Sequence, residues 1–138
     1  PTVAEYAQYA ALPYIRLDGD IRVCLITSRG TKRWIIPKGW PNLRSAYEQA
    51  AREAEEEAGL VGEISTDPIG SYTYRKRLHF FASADCRVAV YPLLVRVQRE
   101  RWPEQAERQF TWVSVLEAAS MVQEPDLARL LSFLPDGS

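Results

Sequence analysis

Cysteine is scarce in this sequence of 138 residues, which carries only Cys24 and Cys86. Two cysteines cannot staple a small secreted scaffold, and these two lack metal-ligand spacing. Both fall in stretches that read as strands, which suits buried free thiols in the reducing cytoplasm. Histidine is scarcer still: His79 stands alone, so a His-rich zinc site is excluded. No run approaches 18 consecutive apolar residues, so no membrane span is expected. No charged n-region precedes an apolar h-region, so no signal peptide is expected either. Seventeen basic residues face eighteen acidic ones, a formal charge of −1. That balance argues against a dedicated binder of nucleic-acid polymers, which would be strongly basic. Repeats, linkers and low-complexity tracts are missing too.

What is present is ordinary globular composition, 46% hydrophobic and 25% charged. The length suggests one domain over residues 1–138, large enough to bury most of its apolar surface. The charge is unevenly placed. Residues 1–44 hold seven basic and three acidic residues, residues 45–59 one and five, and residues 71–108 eight and four. An acidic segment between two basic ones suits a metal site that handles an anionic ligand.

The first part of the chain reads as β. Gln8–Leu17 is strand-like, Asp18-Gly19-Asp20 is a turn signal, and Ile21–Ser28 is rich in β-branched residues. A loop follows over Ser28–Arg33, with Gly30 available for a positive φ. Trp34–Ile36 is a short apolar run, and Pro37–Arg44 a second loop. The period then switches. Ser45 and Glu48 form a capping box, and Tyr47, Ala50, Ala51, Ala54 and Ala58 recur at helical spacing. Gly59 closes a helix over Ser45–Ala58 whose small face can lie close against a sheet. Beyond Leu60 the chain returns to β, with strands at Ile69–Arg75, Cys86–Val97 and Phe110–Val113. Arg75–Asp85 reads as a loop or hairpin tip. Ser114–Met121 and Asp126–Leu134 read as helices, and the tail after Pro135 as frayed. The order suggests helices packed on a mixed sheet.

The chemistry concentrates in Arg52-Glu53-Ala54-Glu55-Glu56-Glu57-Ala58-Gly59-Leu60. On a helix Glu53, Glu56 and Glu57 stand at i, i+3 and i+4 and share a face. Each such like-charge pair costs about 0.2–0.5 kcal/mol in an isolated helix. This far from the helix N-terminus the dipole offers no relief. Taken alone, the pattern is also that of a solvated acidic face. A hard divalent cation such as Mg2+, with Mn2+ as a substitute, would compensate it and still hold phosphate.

Together with Trp34-Ile35-Ile36-Pro37-Lys38-Gly39-Trp40, this stretch resembles the Nudix hydrolase signature, a glycine, a glutamate, then R-E-U-x-E-E-x-G-U. Arg52, Glu53, Glu56, Glu57, Gly59 and Leu60 match its second half. The first half departs: the loop from Gly39 is one residue short, Arg44 or Ser45 stands where a glutamate is usual, and Ala54 replaces the bulky aliphatic. Outside the box the chain looks most like the diphosphoinositol polyphosphate phosphohydrolase branch. That likeness rests on Thr27-Ser28-Arg29, Cys86-Arg87-Val88, Arg101-Trp102-Pro103-Glu104, and Arg108 before Trp112.

The resemblance implies an α/β (α+β) fold, a Nudix-type α/β/α sandwich with a mixed sheet and the box helix packed on it. Its catalytic loop and helix would lie at about 37–60. It implies Mg2+-dependent hydrolysis of a diphosphate bond in a highly phosphorylated small molecule: a diphosphoinositol polyphosphate, a diadenosine polyphosphate or polyphosphate. A nucleoside diphosphate derivative, a nucleoside triphosphate, or a non-catalytic phosphate-sensing role are the alternatives. Glu53, Glu56, Glu57 and the Lys38 backbone carbonyl would hold the metal. Arg52 would orient a box glutamate, and Glu56 or Glu57 would take the proton. Arg29, Arg33, Lys38, Arg87 and Arg108 would face phosphate, the guanidinium fork matching its oxygens. Arg75, Lys76, Arg77 and His79 would extend that surface, and Trp34, Trp40, Tyr72 and Tyr74 are candidates to stack on a base.

Overall fold

The computed structural model describes residues 4–79 and 82–134. Among these residues eight strands form one mixed sheet: β1 (Ala4–Leu17), β2 (Asp20–Thr27), β3 (Trp34–Ile35), β4 (Lys38–Gly39), β5 (Leu60–Ile64), β6 (Gly70–His79), β7 (Ala82–Gln98) and β8 (Phe110–Ser114). The helices are α1 (Ala46–Ala58), α2 (Val115–Met121) and α3 (Pro125–Leu131). Among the described residues no helix is long and apolar enough to cross a membrane.

The long strand β1 is the spine of the sheet. Along most of its length it runs parallel to β7, from Ala4 opposite Ala84 to Tyr14 opposite Leu94. Its C-terminal end turns into β2 through Asp18 and Gly19, both at positive φ (51° and 83°), as a two-residue type I′ hairpin requires. β4 pairs with its middle, β6 and β5 flank β7, and β8 flanks β2.

Both faces of the sheet are covered, so β1 and β2 bury alternate residues in two cores. Ala10, Leu12, Val23 and Leu25 meet Leu127, Leu130 and Leu131 of α3 on one side. Ala11, Cys24 and Ile26 meet Ala50, Ala54 and Ala58 of α1 on the other. The result is the expected sandwich, with the alanine row of α1 against the sheet. Glu48 caps α1, its carboxylate accepting from the Ser45 hydroxyl (2.6 Å) and backbone N–H (3.4 Å). Gly59 ends α1 at φ 71°, where a Cβ would also overlap the Trp102 ring.

The elements depart from the sequence reading in four places. Within the stretch read as a loop or hairpin tip, Arg75–Arg77 and Ser83–Asp85 are the paired arms of a hairpin, with Arg75 opposite Asp85, so the strands run further into it than expected. Their charges stand on an edge hairpin and hide the apolar alternation that marks an inner strand. Lys38–Gly39 and Leu60–Ile64 add two strands too short or too mixed to show a period. In the loop after β2 the left-handed residue is Lys32 (φ 58°), not Gly30. Helix α3 stops at Leu131, three residues early. The tail after Pro135 lies outside the described residues, as do the hairpin tip and the His79 side chain.

Candidate active site

A cleft of about 1110 Å³ opens between α1, the loop after β2, strand β4, the edge strand β6 and the turn joining α2 to α3. Glu53 and Glu57 of α1 line it, one helical turn apart. Glu57 is buried, and its Oε1 accepts no hydrogen bond among the described residues. Burial pushes its carboxyl up to about 9; Arg108 opposes that shift, and the Glu53 carboxyl, within hydrogen-bonding reach, adds to it. Glu53 receives a hydrogen bond from Gln49 Nε2 at 2.5 Å. Gln49 sits one turn earlier on α1, so residues 49, 53 and 57 make a single polar row.

Gly39 is fitted to this row. Its φ is not in the left-handed region, yet a Cβ there would overlap the Glu53 carboxylate. Lys38 lines the same cleft. Burial pushes its amine down to about 8, against the pull of Glu57 and with the help of nearby Arg33. Its ammonium lies 5.0 Å from the Tyr74 ring centroid, and the Tyr74 hydroxyl donates to Gln8 Oε1 at 2.6 Å.

Glu56 faces elsewhere. It accepts from Arg52 Nε at 2.7 Å, and neither residue lines the cleft. Among the described residues no three of His, Cys, Asp and Glu gather as a ready cation cage. From α1 the cleft receives two carboxylates within hydrogen-bonding reach of each other, one of them buried with an oxygen that accepts no hydrogen bond among the described residues. Hard oxygen donors kept together and short of a partner fit a hard divalent cation.

Among the arginines expected to face phosphate, Arg108 is the least exposed, and its guanidinium is engaged within the protein. Nε donates to Glu104 Oε1 (3.0 Å), Nη1 to the Thr27 carbonyl (3.1 Å), and Nη2 stands 3.6 Å from Glu57 Oε1. It lines the cleft beside Glu57. Arg29, half exposed, pairs with Glu107 at 3.1 Å, and Arg33 with Glu124 at 2.7 Å; both line the cleft. Arg75, Lys76 and Arg77 line its outer edge. Arg87 is not brought to the cleft: it is exposed and reaches Ser71 and Glu5. Of the aromatic candidates, Trp40 and Tyr74 line the cleft, Tyr72 is buried in the core, and Trp34 packs against it.

The sequence reading missed Gln8, Gln49, Glu104 and Glu124. Gln49 carried a signal in its i−4 spacing from Glu53, and Glu104 one in the Arg101-Trp102-Pro103-Glu104 likeness. The others reach the cleft by topology.

Residues 8–135 match the family model described as NUDIX domain. The chain belongs to the Nudix family. Two curated Nudix relatives are Nudix hydrolase 16, mitochondrial, and Nudix hydrolase 21, chloroplastic, both of Arabidopsis thaliana. The first is 36% identical over 124 residues, covering 81% of this chain and 68% of that protein. The second is 37% identical over 107 residues, covering 76% and 52%. The chain therefore spans between about half and two thirds of these relatives' length. Among solved structures, the Caenorhabditis elegans Ap4A hydrolase superposes with a TM-score of 0.67 at 18% identity, covering 97% of this chain and all of that one. That likeness establishes the Nudix fold.

Proposed function

We propose that the chain is a pyrophosphohydrolase that cleaves a P–O–P bond in a highly phosphorylated small molecule with the help of Mg2+ or Mn2+. The observation that carries this reading is Glu57: a buried carboxyl whose Oε1 accepts no hydrogen bond and faces only Arg108 at 3.6 Å, set beside Glu53 in a cleft that Arg29, Arg33, Lys38, Arg75, Lys76 and Arg77 also line. Glu53, Glu57 and the Lys38 backbone carbonyl are the groups we assign to the cation, with Glu56 joining them once released by Arg52. Bound there, the cation would neutralise phosphate charge and acidify a water. Gln49 holds the Glu53 carboxylate, and Arg108 stands beside that of Glu57. Arg29, Arg33 and Lys38 hold the phosphates, and Arg75, Lys76 and Arg77 draw in an anion of high charge.

Diphosphoinositol polyphosphates, diadenosine polyphosphates and polyphosphate are the substrates such a rim suits. The likeness outside the box favours the first, and the neighbour named an Ap4A hydrolase favours the second. Two buried free cysteines favour a reducing, cytoplasmic setting. Phosphate release from a panel of these compounds with Mg2+ tests the proposal, with Glu57→Gln as control. Turnover that is lost in Glu57→Gln supports it; no turnover on any member defeats it. A second reading, a phosphate-sensing module without catalysis, is favoured by the outward turn of Glu56. Ligand binding that persists with zero turnover in both proteins would establish that reading instead.

A further inference from the structure

Neither residue that stands in the place of the signature's first glutamate reaches the cleft. Ser45 is exposed and gives its hydroxyl to Glu48, while Arg44 lines a separate, smaller recess with Glu48, Ala51, Arg52 and Glu55. A different residue stands beside the acids. Gln49 lies three positions before Arg52, in a span the signature leaves unspecified. Among the described residues of α1, only Gln49 and Glu57 bury a polar side chain. Gln49 is 4% exposed, and its Nε2 donates to Glu53 Oε2 at 2.5 Å; through Glu53 it meets the cleft. Its oxygen, Oε1, is buried and accepts nothing among the described residues. An amide oxygen shut away from water without a donor is unfavourable, so this position asks for a partner from outside the chain.

Which end of the amide faces Glu53 depends on what Glu53 holds. Against a bare carboxylate only the N–H2 end fits, because a carboxylate accepts and cannot donate. A cation on Glu53 reverses that preference. It attracts oxygen and repels the amide hydrogens, and half a turn about the last side-chain bond exchanges the two ends. Resting on the cation assignment proposed above, we infer that Gln49 Oε1 is a further oxygen ligand of the cation, this chain's replacement for the missing glutamate. An amide suits the place. Glu53 and Glu57 already stand within hydrogen-bonding reach of each other, and another buried carboxylate would add repulsion. A glutamine brings a hard oxygen without a charge, and such side-chain carbonyls serve hard cations elsewhere.

Calorimetry of Mg2+ binding to the full chain, at a pH where the acids are charged, decides by its sign. Gln49→Glu keeps an oxygen, adds a charge and removes the donor. If Gln49 is an oxygen ligand, the variant should bind Mg2+ about tenfold more tightly, and melt at a lower temperature in chelator. If Gln49 serves only as a donor to Glu53, the variant sets two carboxylates against each other and gains nothing. Affinity equal to or below wild type therefore overturns the inference. Gln49→Met keeps the length without a hard oxygen and should lose about tenfold in affinity; unchanged affinity overturns the inference too. Where Gln49→Glu does not fold, a crystal of the wild-type chain with Mn2+ replaces it. Oε1 on the ion, directly or through one water, is the expected result. Nε2 still on Glu53, with Oε1 turned from the ion, overturns it. The two proposals fail in different ways. A wild-type chain that binds no cation defeats the hydrolase reading, and this inference with it. A chain that binds Mg2+ and cleaves, with Gln49→Met binding it equally, defeats the role of Gln49 alone.

Discussion

Arg108 stands 3.6 Å from Glu57 with both side chains almost wholly out of water, and it also holds the Thr27 carbonyl and Glu104. One guanidinium thus ties the end of β2 to the acidic helix through three partners. Arg108→Ala leaves the Glu104 carboxylate and the Thr27 carbonyl without their donor, and should cost about 3 kcal/mol of stability. Arg108→Lys should rescue little, because one ammonium cannot span the three sites. Urea unfolding followed by circular dichroism checks both.

Gly39→Ala separates site geometry from stability. The backbone there accepts any residue, and the group in the way is the far end of a flexible side chain. The Glu53 carboxylate should swing aside at a cost under ~1 kcal/mol. Misplacing it should lower turnover by about a hundredfold. A melting temperature close to wild type together with that loss is the expected pair of results.

Cation binding should release a proton. The Glu57 carboxyl ionises only near pH 9 in the cation-free protein, so at pH 7 it is protonated, and a cation needs it charged. Affinity for Mg2+ should therefore rise by about tenfold per pH unit below pH 9 and level off above it. Calorimetry in buffers of different ionisation enthalpy should count close to one proton released at pH 7.

The thiol of Cys24 is pushed up to about 12 by burial. In the unfolded chain it ionises near its ordinary value of 9. The folded state therefore keeps a proton that the unfolded state gives up, and stability falls as pH rises from about 9 towards 12. Buried Tyr72 and half-buried Tyr74, raised by the same desolvation, add to the fall above pH 10. Cys24→Ala should flatten the slope between pH 9 and 10. Native protein at pH 8 should resist iodoacetamide that labels it in urea.

What the sequence made legible was local. The alanine row of α1, its Ser45 and Gly59 ends, the Asp18-Gly19 turn and the Ser114 cap, which accepts from the Glu117 N–H at 3.1 Å, each rest on residues within a few positions of one another. The acidic row was legible for the same reason, since i+4 spacing fixes a face. Rotamers were not. Glu56 shares the helix face of Glu53 in projection, yet Arg52 draws it outward. Arg87 carries the charge expected of a phosphate ligand, but its place on β7 points it at Glu5. Glu124 and Gln8 reach the cleft only because a turn and a strand far apart in sequence are folded beside it, and no local pattern records that.

The parallel pairing of β1 with β7 sets a rule of timing. Ala4 meets Ala84 and Tyr14 meets Leu94, so each bond of this ladder joins residues eighty positions apart. Such ladders close late, because a long loop must be gathered before any pair rewards it. While the chain is being made, the opening strand waits with one side bare until the seventh has emerged. Gln8, opposite Val88, acquires its neighbour only then. The pocket is accordingly among the last parts of the molecule to exist, and a chain cut short before residue 82 has a helix of glutamates with nothing to aim at.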